Sequence, residues 1–189
     1  MGSRPVPQPA LDRMVPFAAH PVVVGVHPGQ DPLVVRTAAS LALAVGSGLH
    51  LAYADTSRYV VEEGAGGAVV HAPIEPDAAD DAWQDTFDAL RAEVGAAFGG
   101  DGGGGGGSAP AWELHYLAGR PDRALTHLAR AVDAAVIVVG TRAPGASARL
   151  REAMEGSVAA HLAHHQHRPV LTVPLAVVDW KELRAPWAG

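Results

Sequence analysis

Three short apolar runs punctuate the chain: Val22 to Val26, Ala134 to Val139 and Val170 to Val173. Each is too short for a helix and ends at a turn signal, so each reads as a parallel strand buried on both faces. Two further runs, Leu49 to Ala54 and Trp112 to Leu117, mix polar residues into the pattern and read as strands nearer the sheet edge. Between the strands the spacing turns helical. A first helix follows Asp31-Pro32 and runs to about Val45, with Val34, Val35, Ala38, Leu41, Ala42 and Val45 on one face and Gly46 or Gly48 to end it. A second opens with Asp77, Asp80 and Asp81, which suit the positive end of a helix dipole, and carries the stripe Trp83, Phe87, Leu90 and Val94. A third starts at Pro121 and turns Leu125, Leu128, Ala129 and Val132 inward; a fourth runs from about Gly156 to Gln166, before Pro169.

Strand and helix thus alternate, which predicts the α/β class: a five-stranded parallel sheet with helices on both faces and right-handed crossovers. Ligands of such a sheet sit outside the carboxyl ends of the strands, which directs attention to residues 27–29, 54–56 and 140–157. Tyr59-Val60-Val61 and Ala68-Val69-Val70 predict a small hairpin inserted before the second helix. Residues 1–19 read as a flexible arm, 20–174 as the folded domain and 175–189 as a tail. The glycine-rich stretch 99–109 reads as a flexible linker within the domain.

Composition narrows the function classes. The formal charge is −6, with 14 basic and 20 acidic residues, so no basic field favours nucleic acid or an anionic membrane. There are no cysteines, which excludes disulfides, thiolate metal sites and thiol catalysis. The longest apolar run falls far short of the roughly 20 residues of a spanning helix, and Met1 to Met14 has no apolar core, so a soluble, cytoplasmic protein is expected. Arginine outnumbers lysine, whose one instance is Lys181, and alanine, glycine and proline abound; these GC-rich codons point to a high-GC bacterial genome.

The candidate chemistry lies after the fourth core strand. Val139-Gly140-Thr141-Arg142-Ala143-Pro144-Gly145 leads through a polar loop to Gly156-Ser157-Val158. A strand that runs into glycine, then a loop, then Gly-Ser at the head of a helix offers free amides to one point, which suits phosphate. Ser157 adds a hydroxyl donor and Arg142 a cation; alternatively Gly140 simply ends a strand and Ser157 caps a helix. His161 and His165 have a two-ligand spacing, but no carboxylate follows at metal-motif spacing, so no metal site is expected. Asp77, Asp80, Asp81, Asp85 and Asp88 read as a solvated face, and Ser157 has no evident base, so no catalytic residue is assigned.

The run Val136 to Arg142, then Gly156-Ser157-Val158-Ala159-Ala160-His161-Leu162 and Arg168-Pro169-Val170-Leu171-Thr172-Val173-Pro174, resembles the universal stress protein family, within the adenine nucleotide α-hydrolase-like folds. The resemblance covers roughly residues 20–174 and implies a stress-related regulatory domain without turnover. It also implies a homodimer formed through the last strand, Val170 to Val173, and an adenine nucleotide, ATP, as the ligand. Nucleotide-binding members carry a G-x2-G-x9-G-[S/T] loop; Gly140 matches its first glycine and Gly156-Ser157 its last pair. Ala143 stands at the second glycine and the loop is longer by three, so Gly145 is the nearest substitute. Such members usually place an aspartate after the first strand, where this chain has His27-Pro28-Gly29; Ala54 aligns with the position whose main chain meets adenine. The alternative is a dimeric interaction module of the same fold that binds no nucleotide.

Overall fold

The computed structural model describes residues 11–75, 77, 81–99, 109–141 and 158–175. Among these residues there are seven strands, β1 (Val22–Gly25), β2 (Leu49–Asp55), β3 (Arg58–Glu63), β4 (Val69–Pro73), β5 (Trp112–Ala118), β6 (Val136–Gly140) and β7 (Val170–Val173). The helices are α1 (Leu33–Ala44), α2 (Ala82–Gly99), α3 (Pro121–Ala131) and α4 (Val158–His165). Five strands make one parallel sheet in the order β5-β2-β1-β6-β7, while β3 and β4 pair as a separate antiparallel hairpin. The expected α/β architecture and the inserted hairpin are both present.

Two cores follow from strand alternation. On one face Val22, Val24, Leu49, Leu51, Leu114, Val136 and Val138 pack under α1 and α2; on the other Val23, Ala52, Leu117, Ile137 and Val139 pack under α3 and α4. Three successive valines of β1 are fully buried, which is why that strand lacks polar alternation. Each such side chain contributes about 1.5–3 kcal/mol of burial, against the entropy of ordering it. Helix ends obey local chemistry: Gly46, at φ +67°, closes α1 while Ser47 donates to the Ala42 carbonyl at 2.9 Å and Gly46 to that of Leu43 at 3.2 Å. Pro121 opens α3 as expected. The second helix begins later than its aspartates suggested, at Ala82, leaving Asp77 and Asp81 ahead of it.

One strand sits differently from its sequence reading. Val170 to Val173 is not buried on both faces; among the described residues β7 is the edge of the sheet beside β6, with Leu171 and Thr172 exposed. A four-residue apolar run carries no record of whether a strand lies on both of its sides. Residues 11–19 also bond to the domain: Ala19 donates to the Val45 carbonyl at 2.9 Å and Arg13 meets His167 at 2.9 Å. No helix among the described residues is long and apolar enough to cross a membrane.

Candidate functional site

The chain builds the sheet outward from β1 through β2 to β5, then returns to the other side of β1 for β6 and β7. The carboxyl ends of β1 and β6 therefore form the switch point at which doubly wound sheets open a crevice. Register sets the levels: Gly25 lies beside Ala52 and Val24 beside Val138. His27, Ala54 and Gly140 thus emerge at the same end of neighbouring strands.

The β1–α1 loop is tightly bonded. His27 is half-buried; its amide donates to the Gln30 side chain at 3.1 Å, and its ring Nδ1 lies 3.0 Å from the Pro28 carbonyl, which fixes that nitrogen as the donor. Pro28 is exposed. The Gly29 amide donates to both carboxylate oxygens of Glu93 on α2, at 3.0 and 3.3 Å. Asp31 accepts from the Leu33 amide at 2.8 Å and so serves the start of α1 rather than the crevice.

Gly140 ends β6 in a tight place. A methyl group there would stand 3.0 Å from Leu175 Cδ1 and Val34 Cγ2 and 3.3 Å from Gln30 Nε2, so the missing side chain is what lets these three approach the strand end. Leu175 is held there by its own amide, which donates to Thr141 Oγ1 at 2.8 Å, while the Thr141 amide donates to the Val173 carbonyl at 2.7 Å. Ala54, half-buried, closes the β2 side, and Val158 opens α4 against the core beneath α3. Arg142, Gly145, Gly156 and Ser157 lie outside the described residues. The structure thus brings His27, Pro28, Ala54 and Gly140 to one end of the sheet.

Beside Ala54 the end of β2 is polar and aromatic. Asp55 accepts from Tyr116 Oη at 2.6 Å and from the Ser57 hydroxyl and amide at 2.6 and 2.8 Å. Burial pushes its pKa up, but the donors from Ser57 and Tyr116 outweigh it and hold the carboxyl below its ordinary value. Burial and the Asp55 carboxylate together push the Tyr116 hydroxyl well up. Tyr116 also packs against Tyr53, His71 and Trp83 at ring separations of 5.2–5.3 Å, which docks the β3–β4 hairpin on the sheet. Gln30, Glu93 and Leu175 escaped the sequence reading because their partners are set by tertiary packing; Gln30 and Leu175 follow strand ends, while Glu93 lies inside α2.

A second group of chemically able side chains lies away from the crevice. His50 on β2 and Glu113 and His115 on β5 all face the same side of the sheet, since His50 pairs with Glu113 and Ala52 with His115. Among the described residues they are the one set of three metal-ligating side chains whose donor atoms lie together, all within 4.8 Å of one another. His161 and His165 stack at 5.7 Å, with His165 Nδ1 donating to the His161 carbonyl at 3.1 Å. A cavity of about 460 Å³ opens at the opposite end of the sheet, lined by Arg13, His20, Arg130, Asp133, His167 and Arg168 among others. There Arg168 meets Asp133 at 2.8 Å and Arg13 meets His167, so much of its charge is already paired.

Comparison with known proteins gives a consistent picture. The model of the Universal stress protein family matches residues 19–174. Among solved structures, the chain is similar to a universal stress protein in complex with cAMP, with 25% identity and a TM-score of 0.52 over 84% of this chain and 99% of that one. A universal stress protein from Archaeoglobus fulgidus shares the fold at 20% identity and a TM-score of 0.51, over 82% of this chain and 94% of that one. So does the universal stress protein UspA from Lactobacillus plantarum, at 17% identity and 0.52, over 82% and 98%. No curated protein sequence matches.

Proposed function

The chain belongs to the universal stress protein family, and from that premise we propose that it is a regulatory domain without turnover that binds an adenine nucleotide, ATP on the sequence reading, and assembles as a homodimer through β7. The observation that carries the ligand assignment is the switch point itself. His27 and Gly140 leave β1 and β6 side by side there, at the end of the sheet where this architecture holds its ligands. The structural relative solved with cAMP supports an adenine nucleotide as the class. In the sequence, Gly140, Arg142, Gly156 and Ser157 supply the phosphate-directed groups. The absence of turnover rests on the lack of any residue assigned as a general base.

The β7 assembly rests on the bare edge. Among the described residues no strand pairs with Val170 to Val173 on the side away from β6, and the Leu171 side chain is exposed, which together make a template for a second copy.

A second reading, a module of the same fold that binds no nucleotide, draws on specific contacts. Leu175, Val34 and Gln30 crowd Gly140, and Glu93 holds the Gly29 amide. One experiment separates the two. The full chain is denatured and the supernatant searched for nucleotide by mass spectrometry; thermal unfolding is then followed with ATP, AMP and cAMP. Binding predicts an upward shift of about 5–10 °C at one hundred times the dissociation constant, lost in Gly156→Asp, which sets a carboxylate where the family pattern reserves phosphate. No released nucleotide and no shift with any of the three would leave the interaction module.

A further inference from the structure

We propose that His50, Glu113 and His115 form a binding site for a zinc-class divalent cation that ties the edge strand β5 to β2. His50 Nδ1 and His115 Nε2 stand 2.9 Å apart, Glu113 Oε2 lies 3.8 Å from His50 Nδ1, and Glu113 Oε1 lies 3.8 Å from His115 Nε2. Corners of a tetrahedron with zinc–nitrogen bonds of 2.0–2.1 Å are about 3.3 Å apart, and the three donor atoms already lie within 4.8 Å of one another, so side-chain rotation alone can bring them round an ion. The backbones need not move, because both strands are locked in register.

The donor set selects the ion. Two imidazoles and one carboxylate suit zinc and its borderline neighbours, whereas magnesium and calcium require oxygen shells. Each imidazole turns one ring nitrogen towards the other and towards the Glu113 carboxylate, and these are the donor atoms a cation would share. Without an ion, one ring must donate its N–H to the other. On binding, that proton moves to the far nitrogen of the same ring, and both facing nitrogens become ligands with no net proton released. His115 is buried and His50 nearly so, while the Glu113 side chain remains 66% exposed. The ion therefore has a protein side that excludes water and a solvent side that leaves coordination positions open, the pattern of a reactive or exchangeable site rather than a closed structural one.

The site is separate from the nucleotide crevice. His50 lies near the amino end of β2 and Asp55 at its carboxyl end, about 16 Å apart at strand rise.

The test uses the full chain, stripped with a chelator and titrated with zinc by calorimetry, and with cobalt by visible absorption. The expected result is one ion per chain and cobalt bands of a low-coordinate nitrogen–oxygen site. Glu113→Gln leaves the fold intact, since that side chain is exposed, and should weaken zinc by at least about tenfold, the lower limit seen even for second-sphere changes. His50→Gln should remove the cobalt bands. A His161→Gln/His165→Gln chain serves as control and should bind as before. The proposal is overturned if the parent chain takes up no zinc in large excess, or if Glu113→Gln and His50→Gln bind as the parent does.

Discussion

The two edges of this sheet share a backbone geometry and differ in almost everything else. At one edge β5 runs seven residues, five of them buried in succession from Leu114 to Ala118, and is bonded along its whole length to β2. Two polar groups lie along its seam with β2: His50–Glu113–His115 at the amino end, and Tyr116 on Asp55 at the carboxyl end. At the other edge β7 runs four residues with two exposed, and its neighbours beyond β6 are few. The contrast teaches that edge position does not decide burial. What decides it is whether another element covers the strand, and here the aromatic cluster of Tyr53, His71, Trp83 and Tyr116 brings the hairpin and α2 onto the β5 edge.

The sharpest way to break that contrast is to remove the same side chain from each edge. Leu117→Ala on β5 empties a fully packed site and should cost about 2–5 kcal/mol in denaturant unfolding. Leu171→Ala on β7, at 38% exposure in the single chain, should cost about 0.5 kcal/mol or less at protein concentrations low enough to keep the chain monomeric. Equal losses would mean that β7 is covered in solution by more than a second copy can explain. Next in size is Leu171→Glu. If β7 pairs with its counterpart, the substitution sets like charges at the junction and should weaken the dimer about 100-fold by sedimentation, with unchanged circular dichroism. A chain that is monomeric before the substitution would refute the assembly.

A smaller effect tests the polar end of β5. Tyr116→Phe removes a donor to Asp55 and should cost about 1 kcal/mol near neutral pH. The folded-state pKa of Asp55 lies below its ordinary value, so its contribution is complete above about pH 4 and fades as pH falls through the folded value. The difference between parent and variant should shrink along the same acid limb. A difference independent of pH would show that the hydroxyl acts through packing alone.

Much of this architecture was legible in the chain because its signals are local. Val22 to Val24 read as a doubly buried strand, Gly46 and Pro121 as helix punctuation, and the valine pairs at 60–61 and 69–70 as a hairpin. The edge status of β7 was not legible, since strand order follows from how the helices pack and not from the composition of Val170 to Val173. The crevice was legible as a location, because strand ends follow turn signals. Its occupants were not: Glu93 reaches Gly29 across 64 positions, and Leu175 reaches Gly140 only because β7 lies beside β6. The histidine pair was invisible for the same reason. Glu113 and His115 share a strand face by simple alternation, but His50 joins them only through a register set 65 positions away.

The proposed function requires that the carboxyl ends of β1, β2 and β6 take an adenine nucleotide. Amide NMR of the isotope-labelled chain during titration with ATP, and separately with cAMP, tests it residue by residue. The account predicts saturable shifts concentrated at His27, Gly29, Ala54, Gly140 and Thr141, with the amino-terminal half of β5 unmoved. Spectra that do not change, or shifts gathered around Arg13, Arg130 and Arg168 at the opposite end of the sheet, would contradict it.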